Sequence, residues 1–363
     1  MTKLHELANM GQAIWLDFIQ RSLMDSGQLQ ALIDQGLRGM TSNPSIFDKA
    51  ISKSGDYDRD LAKLAAEGKS PEAIYEALAV EDIRHAADLL RPVYDATHAL
   101  DGYVSLEVSP LLADDTQGTL AEARHLHALV NRPNIFIKVP ATPAGVPAIE
   151  ALISEGINVN VTLIFSIAQY EPIANAYISG LEQRARRGED ISQIASVASF
   201  FVSRVDTAVD KELERLGNRE LQGIAAIANA RRAYACYQQL FGSDRWQQLA
   251  ARGARVQRPL WASTSAKNPA YRDVVYVEEL VGPQTVNTVP METLEAFLDH
   301  GRVAATLEAG MDEAASQLQQ LAHLGIDLDQ ITARLQADGV DAFIKSFRSL
   351  IDTVATKSRE VAK

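Results

Sequence analysis

A lysine stands inside the apolar run IFIKVP, where Lys138 is flanked by Ile137 and Val139. Burying an ammonium forfeits its hydration, so a strand that keeps a lysine must pair the charge or use the neutral amine. A neutral amine in an apolar pocket is a nucleophile, and a carbonyl carbon is its natural electrophile, giving a Schiff base. Schiff-base chemistry needs groups that move protons, and two acids lie in comparable settings. Asp17 sits within WLDF and Glu107 within SLEVSP. Either one alone could be a strand-end charge reaching water. Polar side chains also recur at every second position: Asn158, Asn160 and Thr162 in NVNVTLIFS, and Ser199, Phe201 and Ser203 in SFFVSRVD, with Arg204 just beyond.

Spacing of two is a strand signature, because successive side chains point to opposite faces. The runs that carry it are Ile14–Ile19, Leu37–Thr41, Tyr103–Ser109, Ile135–Val139, Asn158–Phe165, Ala195–Val202, Pro259–Thr264 and Thr285–Val289. Helical patterns separate them, which predicts an α/β fold with a parallel sheet closed into one (β/α)8 barrel. Helices cover the outside of such a barrel, so the polar face must look into the lumen. For the fifth strand that puts Asn158, Asn160 and Thr162 inside and Val159, Val161 and Leu163 outside. An amine, two carboxylates and several hydroxyls converging on one mouth make a site for carbonyl chemistry.

The helix signals agree with the alternation. Ser70-Pro71 is a cap followed by a first-turn proline, opening a helix to about Leu90. Thr119 with Glu122 has capping-box spacing for a helix to about Val130, and Gly242 is placed to end a helix from Arg219 to Phe241. Extra helices are expected after strands two and six. From about Asp312 to Lys363 the periodicity is again helical, with Leu318, Leu321, Leu324, Ile331 and Leu335 as core candidates. We expect one domain over 1–363, with the barrel over about 12–300 and a helical extension over about 301–363.

The chain has 363 residues, 47% of them hydrophobic, and a net charge of −12. That balance argues against nucleic acid or an anionic membrane as the main partner. The single cysteine, Cys236, excludes an internal disulfide, suits a reducing cytoplasm and reads as a buried small apolar residue. No apolar leader opens the sequence and no run approaches the roughly 18 apolar residues of a membrane span, so a cytoplasmic protein is expected. His125 and His127 lie two apart on a predicted helix and read as surface residues rather than metal ligands. No dinucleotide, phosphate-loop or zinc-protease motif occurs, and no cofactor or metal is expected.

The blocks WLDF, TSNPSIF (Thr41–Phe47), SLEVSP, IKVPAT, NVNVTLIFS and SFFVSRVD, in that order, resemble those of the transaldolase family. The resemblance covers roughly residues 12–290, and the ASTSAKN block looks like the longer bacterial branch. It implies transfer of a dihydroxyacetone unit from sedoheptulose 7-phosphate to glyceraldehyde 3-phosphate, giving erythrose 4-phosphate and fructose 6-phosphate. In that reading Lys138 forms the Schiff base, Glu107 moves protons through a water held by Thr162, and Asp17 takes the C4 hydroxyl proton. Asn43, Asn160 and Ser199 hold the three-carbon unit, Phe201 lines the site and Arg204 binds phosphate. Shorter members place a second arginine after strand seven. Here that block reads PLWASTSAKN, so Lys267 with Ser263 and Ser265 are the candidates for the remaining phosphate contacts. Phosphorylated sugars are the expected partners and a homodimer is possible. A fructose-6-phosphate aldolase-like enzyme, from the shorter end of the superfamily, is the alternative.

Overall fold

The structure is a computed structural model and describes residues 1–361. Helix α1 (Lys3–Asn9) precedes β1 (Gln12–Asp17), and α2 (Arg21–Asp25) and α3 (Gln28–Asp34) lead to β2 (Gly39–Thr41). Three helices follow, α4 (Pro44–Lys53), α5 (Asp58–Ala66) and α6 (Pro71–Ala96), before β3 (Tyr103–Glu107). The pattern then becomes regular: α7 (Thr116–Val130), β4 (Ile135–Pro140), α8 (Gly145–Glu155), β5 (Val159–Ile164), α9 (Ile167–Arg186) and β6 (Ser196–Phe201). Helices α10 (Ser203–Leu216), α11 (Ala225–Phe241) and α12 (Asp244–Ala250) separate β6 from β7 (Arg258–Ala262). Short α13 (Val275–Glu278), β8 (Thr285–Val289), α14 (Met291–His300), α15 (Met311–His323) and the long α16 (Leu328–Val361) complete the order. The eight strands are parallel and close into a barrel in sequence order, β8 pairing with β1. The expected (β/α)8 barrel is present, with the additional helices after strands two and six.

Every strand except the end of β1 is buried along its whole length, as a sheet covered on one side and filled on the other requires. Inside, Trp15, Tyr103 and Phe136 from β1, β3 and β4 form an aromatic plug, with ring centroids 5.8 Å apart for Trp15–Phe136 and 4.3 Å for Tyr103–Phe136. Gly39 faces Trp15 across the β1–β2 pair, and a Cβ there would lie 2.7 Å from the indole ring. This plug sits two or four residues before Asp17, Glu107 and Lys138 on their strands. It therefore forms a dry floor under the polar level.

Several expectations need correction. Thr119 does not cap its helix: Asp115 does, accepting from Gly118 N at 3.0 Å, while Thr119 donates to Leu112 O and Glu122 accepts from Ser109 N. The helix ending at Gly242 starts at Ala225, because Arg219–Ile224 turn before it. Ser70 does cap α6, but that helix runs past Leu90 to Ala96. Of the tail candidates Leu318, Leu321, Leu324, Ile331 and Leu335, only Leu321 is fully buried, and Leu324 is exposed. The burial in α16 falls instead on Thr332, Gly339, Phe343, Leu350 and Val354, since that helix crosses the barrel mouth rather than packing beside it. The tail was expected to reach Lys363, of which residues 362–363 lie outside the described residues. Cys236 is half-buried rather than fully buried, and burial pushes its thiol up, away from reactivity.

The most consequential correction is in β5. Val161 pairs with Ala198 and Ile164 with Phe200, three steps on one strand against two on the other, so β5 carries one extra residue. Leu163 takes it up with φ of 62°, in the left-handed region that a leucine rarely adopts. The alternation predicted from sequence therefore breaks after Thr162. Thr162 and Leu163 together stand opposite Ser199, and Leu163 meets α16 at the mouth instead of the outer helices.

Candidate active site

Parallel strands in a barrel all end at one mouth, and register decides which side chains meet there. Glu107 is the register partner of Lys138, and Lys138 that of Asn160, so β3, β4 and β5 present them at one height. Lys138 Nζ lies 3.4 Å from Glu107 Oε2 and donates to Ser42 O at 3.2 Å. The pair is almost out of contact with solvent, at 6% and 8% exposure. Burial is the main influence on Glu107 and pushes its carboxyl up to about 7; the facing Lys138 opposes the rise and Asp17 adds to it. An acid that titrates near neutrality can both take and give a proton under ordinary conditions.

Around this pair the polar groups form a connected set. Ser199 Oγ donates to Asn160 Oδ1 at 2.7 Å, and Asn160 Nδ2 donates to Ser105 Oγ at 3.0 Å. Asp17, the last residue of β1, accepts from Thr41 Oγ1 at 2.6 Å, and Thr41 lies 3.4 Å from the hydroxyl of Thr288. Thr162 is fully buried and its hydroxyl has no partner among the described residues. An unpaired buried hydroxyl is costly unless water or substrate satisfies it.

Asn43 caps α4, its Oδ1 accepting from Ile46 N at 3.0 Å, directly after the Ser42 carbonyl that receives Lys138. Arg204 opens α10 with its guanidinium carbon 5.2 Å from the centre of the Phe201 ring, and Phe165 packs on that ring at 5.0 Å. Burial disfavours the Arg204 charge and Asp17 supports it; among the described residues no carboxylate forms an ion pair with it. Ser263 meets Ser203 through their hydroxyls at 3.0 Å, at the foot of the Arg204 helix. Lys267 is exposed and donates to Ser265 Oγ at 2.6 Å. It borders a separate hollow with Asp206, Asp210 and Glu214, so this pair stands apart from the buried set.

Three residues at the mouth escaped the sequence reading, all from α16. Phe343 lies over Lys138, the ammonium 5.8 Å from the ring centre. Gly339 comes so close to the barrel that a Cβ would sit 2.9 Å from Leu163 Cδ2 and 3.7 Å from an Arg204 nitrogen. Gln336 Nε2 donates to Ala141 O at 2.9 Å and Leu163 O at 3.0 Å. Helical periodicity announced the helix, but nothing local says which strand ends a remote helix will cover.

The sequence profile described as "Transaldolase/Fructose-6-phosphate aldolase" matches residues 14–354, nearly the whole chain. The chain belongs to the transaldolase/fructose-6-phosphate aldolase family. Among curated relatives, the transaldolase of Thermobifida fusca is 50% identical over 97% of each chain, and that of Saccharopolyspora erythraea is 51% identical over the same shares. The transaldolase of Trichodesmium erythraeum is 46% identical over 98% of this chain and 97% of its own. The family resemblance carried by IKVPAT and its companion blocks is thereby established, and with it an enzyme of the transferase class. Among the described residues no helix is long and apolar enough to cross a membrane.

Proposed function

We propose that the chain transfers a dihydroxyacetone unit between phosphorylated sugars, from sedoheptulose 7-phosphate to glyceraldehyde 3-phosphate, through a Schiff base on Lys138. The observation that carries this reading is the buried Lys138–Glu107 contact at the mouth of the barrel, in a chain half identical to proteins named transaldolase. For attack the amine must be free of its third proton, and Glu107 is the base within reach. The amine adds to the C2 ketone; the carbinolamine then loses its hydroxyl as water, with Glu107 as acid through a water that Thr162 holds. Asp17 removes the C4 hydroxyl proton as C3–C4 breaks, and the imine takes the electron pair as an enamine. The aldose phosphate leaves while three carbons stay on the lysine, and the second aldehyde adds by the reverse steps.

Asn160, Ser199 and Asn43 are the groups we assign to the hydroxyls of the bound unit, with Phe201 as an apolar wall. Arg204, a cation with no carboxylate paired to it among the described residues, is assigned to the substrate phosphate. Lys267 with Ser263 and Ser265 remain the proposed second phosphate contacts, by movement of their loop toward the mouth. We read the extension after about residue 300 as part of one barrel domain and the protein as cytoplasmic; sedimentation would distinguish a monomer from the possible homodimer.

The deciding experiment is borohydride reduction in the presence of fructose 6-phosphate. A three-carbon adduct at Lys138, absent from Lys138→Ala, is expected, with no free dihydroxyacetone accumulating in the absence of an acceptor aldehyde and a new ketose phosphate forming when one is supplied. No adduct would refute the lysine mechanism. Steady release of dihydroxyacetone without acceptor would favour the aldolase-like alternative.

A further inference from the structure

The bulge in β5 has to be held by something. Leu163 is in a left-handed conformation, and its carbonyl, beyond the regular barrel pairing and beneath a helix, would be orphaned without a donor. Gln336 of α16 supplies that donor and also reaches the Ala141 carbonyl at the end of β4. Both neighbours are acceptors, so the amide nitrogen must be the atom that faces them. Ala141 N in turn donates to Thr162 O at 2.8 Å, so one glutamine closes a ring of contacts around the threonine. The next residues are tied down as well. Phe165 N donates to Gln169 Oε1 at 2.7 Å, and Asn229 Nδ2 donates to Phe165 O at 2.8 Å. Within this clamped segment, the one polar side chain left unpaired is the fully buried Thr162 hydroxyl.

We propose that Gln336 is a positioning residue for the reaction: by fixing the Leu163 carbonyl of the bulge and the Ala141 carbonyl of the neighbouring strand, it aims the Thr162 hydroxyl at the water that relays protons as the Lys138 imine forms and is hydrolysed. The inference rests on the role given to Thr162 in the proposed function. It makes α16 a working part of the site as well as its cover, because the rotamer and height of Thr162 are set by a residue more than a hundred positions away. Gly339, one turn on, permits this approach, since a Cβ there would lie 2.9 Å from Leu163 Cδ2 and force that side chain or the helix to give way.

A double-mutant cycle tests it. Thr162→Ala, Gln336→Met and the double variant are compared in single-turnover imine formation from fructose 6-phosphate, with KM and Tm measured alongside. Methionine keeps the length of glutamine and removes the donor. Gln336→Met is expected to slow imine formation by roughly tenfold with KM nearly unchanged, and to add no further loss when Thr162 is already alanine. If Thr162→Ala alone costs nothing, the assigned role of Thr162 falls and this inference with it. If Thr162→Ala is costly but the two losses multiply, or Gln336→Met matches wild type, the inference alone is overturned. Should Gln336→Met fail to fold, Gln336→Asn, too short to span both carbonyls, takes its place in the cycle.

Discussion

At the scale of single residues, the Lys138–Glu107 contact makes the sharpest demands. Burial pushes Glu107 up to about 7, and the dehydration step we propose for it uses its protonated form. That step should slow about tenfold per unit as pH rises above 7, and Glu107→Gln should remove this limb along with about 10²- to 10⁴-fold of the rate. The rate of borohydride-trappable imine formation against pH measures both. Lys138 is the main influence restraining the rise of Glu107. In Lys138→Met the carboxyl should therefore titrate above 7, read from its infrared carbonyl band. Because the folded value lies above the ordinary 4.5, Glu107 favours the fold at low pH and loses that contribution as pH climbs through its folded value. Arg204→Ala should raise KM for phosphorylated sugars by about 10- to 100-fold, the worth of a charged hydrogen bond, and leave unphosphorylated dihydroxyacetone donors unaffected. These residues were legible because a charge inside an apolar run is hard to explain any other way. Asn43 was legible only through the family resemblance, since a helix cap of the same type needs no catalysis.

At the scale of elements, the eight strands and their polar face could be read from the period of two, and the structure has all eight close to where they were expected. The β5 bulge could not, because the alternation of NVNVT gives way to the apolar run Leu163–Phe165, which fits a regular buried strand end as well as one with an extra residue. Helix starts were misread where a second hydrogen-bonding side chain lay nearby. Asp115 outcompeted Thr119, whose hydroxyl found Leu112 instead. The placement of α16 was equally out of reach, as its amphipathic pattern fits many partners. Phe343→Ala gives this element its own test. It opens a cavity over Lys138, so stability should fall by about 3–5 kcal/mol in denaturant titration. Water admitted to the enamine should also raise the release of free dihydroxyacetone in the absence of acceptor.

At the scale of the whole molecule, α16 spans the structure from the mouth to its flank. Below Phe343 it pairs Ser346 with Ser45 at 2.7 Å and Thr353 with Asp48 at 2.8 Å. Lys357 then caps the carbonyls of Ile51 and Ser54, at 2.8 and 2.6 Å, around the end of α4. The first helix after the TSNP block and the last helix in chain order thus hold one another. A chain stopped before residue 328 should lose trapping at Lys138 far more than it loses barrel secondary structure, by circular dichroism, if the barrel closes on its own contacts. During synthesis every strand emerges from the ribosome before α16 does. A nascent chain can then already own its nucleophilic lysine while the phenylalanine that shelters it is still being translated, which leaves a brief interval when any cellular aldehyde could reach that amine.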